Sequence, residues 1–109
     1  MSVAVRLVFT ENDGSRIVSS ETFKSSKTAY KRLSRYLEMY LRGYFESSEK
    51  AIFWLLSEHL FTFYEEFKSR ERLAQGCSIE ERFKYEEEIL RTKKEMFAYL
   101  VEHVNVSIE

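Results

Sequence analysis

The chain contains no proline, one cysteine (Cys77), one aspartate (Asp13) and only three glycines, at 14, 43 and 76. Without proline, nothing in the covalent chain forces a break inside a helix or strand. A single cysteine excludes an intrachain disulfide and suits a reducing compartment. The scattered glycines exclude a phosphate-cradling loop. The longest apolar run, Ala51 to Leu56, is far below the roughly 20 residues a membrane span needs. The first twenty residues have no basic segment leading into an apolar stretch, so no secretory signal is read, and a soluble cytoplasmic protein is expected. Amides are scarce too (Asn12, Asn105, Gln75) beside abundant Glu, Lys and Arg, a bias that thermophile proteins share.

What is present is a large apolar fraction, 44% of 109 residues. A domain of this size hides roughly two-thirds of its unfolded surface, so residues 1–109 are read as one compact domain. Its charge is unevenly spread. Up to Tyr44 there are eight bases against four acids, and from Phe45 onward nine against fourteen. A net +4 front and a net −5 back thus compose the total of −1. Such asymmetry speaks about partners, not about fold.

Val3, Val5, Leu7 and Phe9 alternate with Arg6 and Thr10, the period of a half-buried strand. Asp13-Gly14 then supplies a tight hairpin turn. A two-residue turn there sets Phe9 opposite Val18, Arg6 opposite Glu21 and Glu11 opposite Arg16. Ser25 or Ser26 caps a first helix, which Gly43 ends. Ser47 or Ser48 opens a second, reaching Ala74 and stopped by Gly76. Ser78 with Glu81 forms a capping box for a third. The expected fold class is α+β: an antiparallel hairpin over about 3–23, helices over about 26–42, 48–74 and 79–102, and a strand over about 104–108 joining the hairpin.

The second helix carries two apolar stripes. Ile52, Leu56, Leu60, Phe63 and Phe67 share one face with His59. Trp54 and Phe61 lie nearly opposite, among Glu58 and Glu65. Either the helix is sandwiched, with Trp54 central to the core, or Trp54, Phe61, Glu58 and Glu65 meet a partner. On the third helix Glu86 falls in line with Ile79, Phe83, Leu90 and Phe97. A buried carboxylate needs a partner, and a His59–Glu86 contact across packed helices would supply one, with Arg82 or Lys93 the alternative. His59 and Glu86 are also the only acid–base pair in sight, but no nucleophile or oxyanion donor accompanies them.

Metal ligation is not expected. Each histidine follows a glutamate (Glu58-His59, Glu102-His103), and adjacent helical residues diverge by about 100°. Cys77 has no histidine near it in sequence and reads as a bystander thiol. No cofactor or small-molecule substrate is indicated. On the first helix, Lys24, Lys27, Lys31, Arg35 and Arg42 form a basic stripe beside Arg32. It suits phosphates or an acidic protein surface, the acidic half of a second copy included. The sequence therefore leads to a non-enzymatic binding protein, acting first by protein–protein association and alternatively by nucleic-acid binding along that helix. Small size without catalytic equipment fits an accessory protein of a virus or plasmid.

Overall fold

The computed structural model describes residues 4–73 and 79–109, apart from the side chains of 71–73. The expected stop of the second helix at Ala74 and Gly76, the Ser78 cap, Cys77 and the first residue of the hairpin lie outside these residues. The elements run β1 (Leu7–Thr10), β2 (Arg16–Val18), α1 (Ser26–Arg42), a 3-10 turn at Ser47–Glu49, α2 (Lys50–Leu73), α3 (Ile79–His103) and β3 (Val106–Ile108). The strands form one antiparallel sheet in the order β2-β1-β3, packed on the three helices. This is the expected α+β architecture, third strand included. No helix among the described residues is long and apolar enough to cross a membrane.

Local chemistry accounts for the ends of the elements. Ser25 accepts a hydrogen bond from the Thr28 amide at the start of α1, and Gly43 closes that helix in the left-handed region at φ 77°. Asn105, at φ 42°, turns the chain out of α3 and into β3. Asparagine tolerates this conformation better than other side chains do. The helices then pack around Leu33, Tyr36, Leu37, Leu56, Leu60, Ile89 and Met96, while Leu7 and Phe9 press the inner face of β1 onto them.

The hairpin register differs from the expected one by a single residue. Val18 faces Val8, Ile17 faces Phe9 and Arg16 faces Thr10. The loop is longer than assumed: the Glu11 amide donates to the Ser15 carbonyl across it, the Gly14 amide donates to the Glu11 carbonyl, and Gly14 takes the positive φ of 89°. Three-residue loops of this kind place a glycine in the left-handed position. A one-residue slip swaps faces, so Ile17 points inward and Val18 outward. Glu11 does not pair with Arg16, nor Arg6 with Glu21. Arg16 pairs instead with Glu109, across β1 on the outer face. That bridge covers Val8, which is only 2% exposed.

Further along, Val5 faces Phe23, so Ser20 and Glu21 are extra residues bulging from the second strand. Glu49, 4% exposed, clamps this bulge. Its carboxylate accepts from the Ser20 amide at 3.1 Å, the Ser20 hydroxyl at 2.8 Å and the Glu21 amide at 3.3 Å. The buried Tyr36 hydroxyl faces the same carboxylate. Burial first, and Glu49 next, hold its pKa well above the usual phenol range.

Two helix-face expectations are corrected. Trp54 is not core: at 70% exposure it stands outside, so α2 is not sandwiched. The stripe of α3 holding Ile79, Phe83, Leu90 and Phe97 is exposed, and Ile89, Thr92, Met96 and Leu100 are buried instead. A second apolar arc, about 100° around the same helix, faces α1 and α2. Arg70 of α2 ties the two long helices by pairing with Glu88 at 3.1 Å and donating to Thr92 at 3.3 Å.

Glu49→Ala leaves three donors without their acceptor in a buried setting, and should cost about 3 kcal/mol of unfolding free energy. Ser20→Ala should cost about 1 kcal/mol. Urea denaturation followed by circular dichroism measures both, and a Glu49→Ala loss no larger than that of Ser20→Ala would show that the clamp does not hold the bulge.

Candidate functional site

The outer face of α2 presents Trp54, Glu58, Phe61 and Glu65 at spacings of three and four residues, in one line along the helix. Trp54 is 70% and Phe61 53% exposed. The expected cluster is therefore real as a surface, not as core. Trp54 is held in place by its indole N–H, which donates to Glu58 Oε1 at 3.0 Å. Phe61 stacks on Tyr64, and rings continue from Tyr64 to Tyr40, Phe45 and Phe53. Exposed Tyr44 and Phe45 extend this surface from the loop after α1. Between that loop and α2 lies a groove of about 410 Å³ bordered by Phe45, Lys50, Phe53 and Trp54. The helical period puts Tyr44 on the apolar arc of the first helix, but the helix ends at Arg42 and Tyr44 is exposed; Phe45 is overlooked by sequence reading. The available signal was an apolar pair directly after the helix-ending Gly43, where the helical period no longer applies.

His59 and Glu86 do not meet. Glu86 is exposed on α3 and accepts from Arg42 at 3.2 Å. His59, half-buried, shares a hydrogen bond of 2.8 Å with Glu11 at the hairpin loop. Nothing in the sequence marked Glu11 as its partner, because only the fold brings that loop onto α2. The Ser15 hydroxyl lies 3.0 Å from the other Glu11 oxygen and 2.6 Å from Asp13 Oδ1, with one proton to donate to either. The order is thus serine–carboxylate–imidazole. In a nucleophilic triad the imidazole stands in the middle, where it can take the hydroxyl proton. Ser15 has no such base and remains an ordinary hydroxyl. These contacts pull the Glu11 carboxyl below its usual range, His59 contributing most and Ser15 next.

Glu58 is the neighbour of His59 in sequence, and the two diverge along α2. Glu11 spans the gap, so one ligand atom each from Glu11, Glu58 and His59 lies within 4.8 Å of the others. Two carboxylates and one imidazole are a donor set that a divalent cation accepts. In their present geometry these groups are engaged in hydrogen bonds to one another, to Ser15 and to Trp54.

The basic stripe divides. Arg32 is committed to Glu21 at 3.0 Å, and Arg42 to Glu86 at 3.2 Å and Glu38 at 4.0 Å. Lys24, Lys27, Lys31 and Arg35 are exposed and have no ion-pair partner among the described residues. Of the tyrosines on α1, Tyr36 is fully buried and Tyr30 is exposed. No protein-family model, curated protein or solved structure matches this chain.

The Glu11 contacts carry a pH signature. A carboxyl whose pKa is lowered on folding stabilises the protein above its unfolded pKa, and that stability is lost as pH falls through the lower folded value. Wild type should therefore lose stability below about pH 4.5, the ordinary value of this carboxyl. Glu11→Gln should lack this component, so the gap in Tm between the two proteins should narrow in acid. A gap that stays constant from pH 7 to about pH 3 would refute the linkage.

Proposed function

We propose that this protein acts by binding another protein through the outer face of α2, and that the partner segment is apolar and basic. The observation that carries this reading is the joint exposure of Tyr44, Phe45, Trp54 and Phe61 on one surface. Scattered apolar residues are normal on a monomer; contiguous aromatic ones mark interaction sites. Large rings supply the anchors of most interfaces at low entropic cost. Glu58 and Glu65 alternate with the rings along the helix, and exposed aromatic faces attract cations. A partner bearing lysine or arginine beside its apolar side chains satisfies both. The role that fits is that of an accessory protein attaching to a larger assembly.

Trp54 is the only tryptophan, so its fluorescence reports directly on this surface. Two amphipathic peptides with identical apolar positions, one lysine-bearing and one glutamate-bearing, should separate. The lysine peptide should shift Trp54 emission to the blue and saturate, and the glutamate peptide should not. Glu58→Lys with Glu65→Lys should reverse the preference, while Phe61→Ala should weaken binding roughly tenfold with an unchanged far-ultraviolet spectrum. Equal responses to both peptides, or none, would sink the reading.

Lys27, Lys31 and Arg35, exposed in one line along α1, with exposed Lys24 just ahead of its cap, favour nucleic acid as a second reading. Four phosphate contacts would make the logarithm of affinity fall with the logarithm of salt at a slope of about −3. Anisotropy of labelled single- and double-stranded nucleic acid tests it. Binding should vanish on Lys31→Glu with Arg35→Glu, and no binding even at low salt eliminates it.

A further inference from the structure

We infer that two copies of this chain pair through α3, antiparallel, with Leu90 on the two-fold axis. The inference is independent of the α2 surface. It begins from the stripe that the fold leaves exposed: Ile79, Phe83, Leu90, Phe97 and Val101, with Ile79 at 73% and Phe83 at 67%. These residues share a face within about 20° of Leu90. The stripe reads the same in both directions. Phe83 and Phe97 stand seven residues either side of Leu90, Ile79 and Val101 eleven. An antiparallel second copy therefore sets Phe83 against Phe97, Ile79 against Val101 and Leu90 against itself, as an isologous interface demands.

The charges beside the stripe select this orientation. Glu87 and Lys94 border it on one side, Glu86 and Lys93 on the other. In an antiparallel pair each flank meets the same flank of the other helix. Glu87 of one copy then faces Lys94 of the other, two opposite-charge contacts per dimer, while Glu86 and Lys93 on the other flank are held by Arg42 and by Glu38 and Ser34 of α1. A parallel pair would oppose Glu to Glu and Lys to Lys, which is unfavourable.

α1 completes the seat. Its contacts with α3, Tyr30 on Phe97, Ser34 on Lys93 and Arg42 on Glu86, run in opposite chain directions. The second α3 thus lies parallel to α1. Between α1 and α3 is a groove of about 510 Å³ lined by Tyr30, Leu37, Leu90, Phe97 and the stems of Lys93 and Lys94. Phe83 of the second copy, opposite Phe97, enters it. The acidic first half of that helix, from Glu80 to Glu87, passes alongside Lys27 and Arg35. The stripe is about 33 Å long and one helix wide, on the order of 350–400 Å² per copy. A standard interface takes about 800 Å² per partner, so α1 must share in it. The result is a four-helix contact of α1 and α3 from each copy.

Sedimentation velocity from low micromolar to near-millimolar protein tests the pairing. Wild type should show a concentration-dependent dimer. Leu90→Glu, which places two carboxylates face to face on the axis, should abolish it. Glu87→Lys alone and Lys94→Glu alone should each raise the dimer dissociation constant at least about tenfold, and the double exchange should restore it. These side chains are exposed, and circular dichroism with Tm should confirm an intact fold. A wild-type protein that stays monomeric throughout would overturn the inference. So would a dimer indifferent to Leu90→Glu, or one that the double exchange fails to rescue.

Discussion

A helix packed in a layer against a sheet has roughly one 100° stripe to bury, and in this protein two of the three helices carry more apolar surface than that. α1 obeys the limit: Ala29, Leu33, Tyr36, Leu37, Tyr40 and Leu41 are all buried. α2 and α3 do not. Each sends one arc into the core and one outward, so the surplus becomes surface: Trp54 and Phe61 on α2, and Ile79, Phe83, Leu90 and Val101 on α3. Leaving such side chains in water forgoes about 1.5–3 kcal/mol apiece relative to burial. The fold is not short of core, because the inner arcs are filled. The outward arcs make sense when something else covers them.

Which arc faces inward is fixed by the sheet, and the sheet hangs on α2. The loop of the hairpin is held by His59 through Glu11, and its bulge by Glu49 just ahead of the helix. These two polar contacts bracket α2 along its first half. They oppose any rotation of the helix that would exchange Leu56 and Leu60 for Trp54 and Phe61. Glu49 is costly to bury, and three donors compensate it. The exposure of the α2 aromatics thus follows from burial of the Ile52, Leu56, Leu60 and Phe67 face, with the two glutamate contacts tying the sheet to that orientation.

Element existence and type were legible in the sequence, because strand alternation, the Ser25 cap and the Gly43 stop each have a local cause. What failed was the choice among local alternatives that only packing decides. An Asp-Gly pair is compatible with a two- or three-residue hairpin loop, and that single residue inverted Val18. Two arcs of α3 have the same helical period, so periodicity could not tell Leu90 from Ile89. Glu86 was assigned to a core for that reason alone, and His59 was given the wrong partner with it. Of the candidate site, the Trp54, Glu58, Phe61 and Glu65 line was visible because both stripes of α2 could be read, one as surplus. Tyr44 continues the apolar arc of α1 by period alone but falls beyond the Gly43 stop, and Phe45 could not be assigned, since loop residues follow no period. Glu11 and Glu49 act across long sequence separations, which a single sequence does not encode locally.

The division of charge acquires a structural meaning once α1 and α3 are side by side. Basic α1 and the acidic start of α3 neutralise each other where Arg42 meets Glu86. Toward the other end of α1, Lys27, Lys31 and Arg35 face no acid among the described residues, because α3 runs antiparallel and presents Lys93 and Lys94 there. The groove between the helices is consequently apolar within and basic along its border. On α2 the balance is the reverse, with carboxylates interleaved among the rings. The two grooves share no lining residue, so occupying one leaves the other free. One small fold thereby carries two apolar faces set in surroundings of opposite charge.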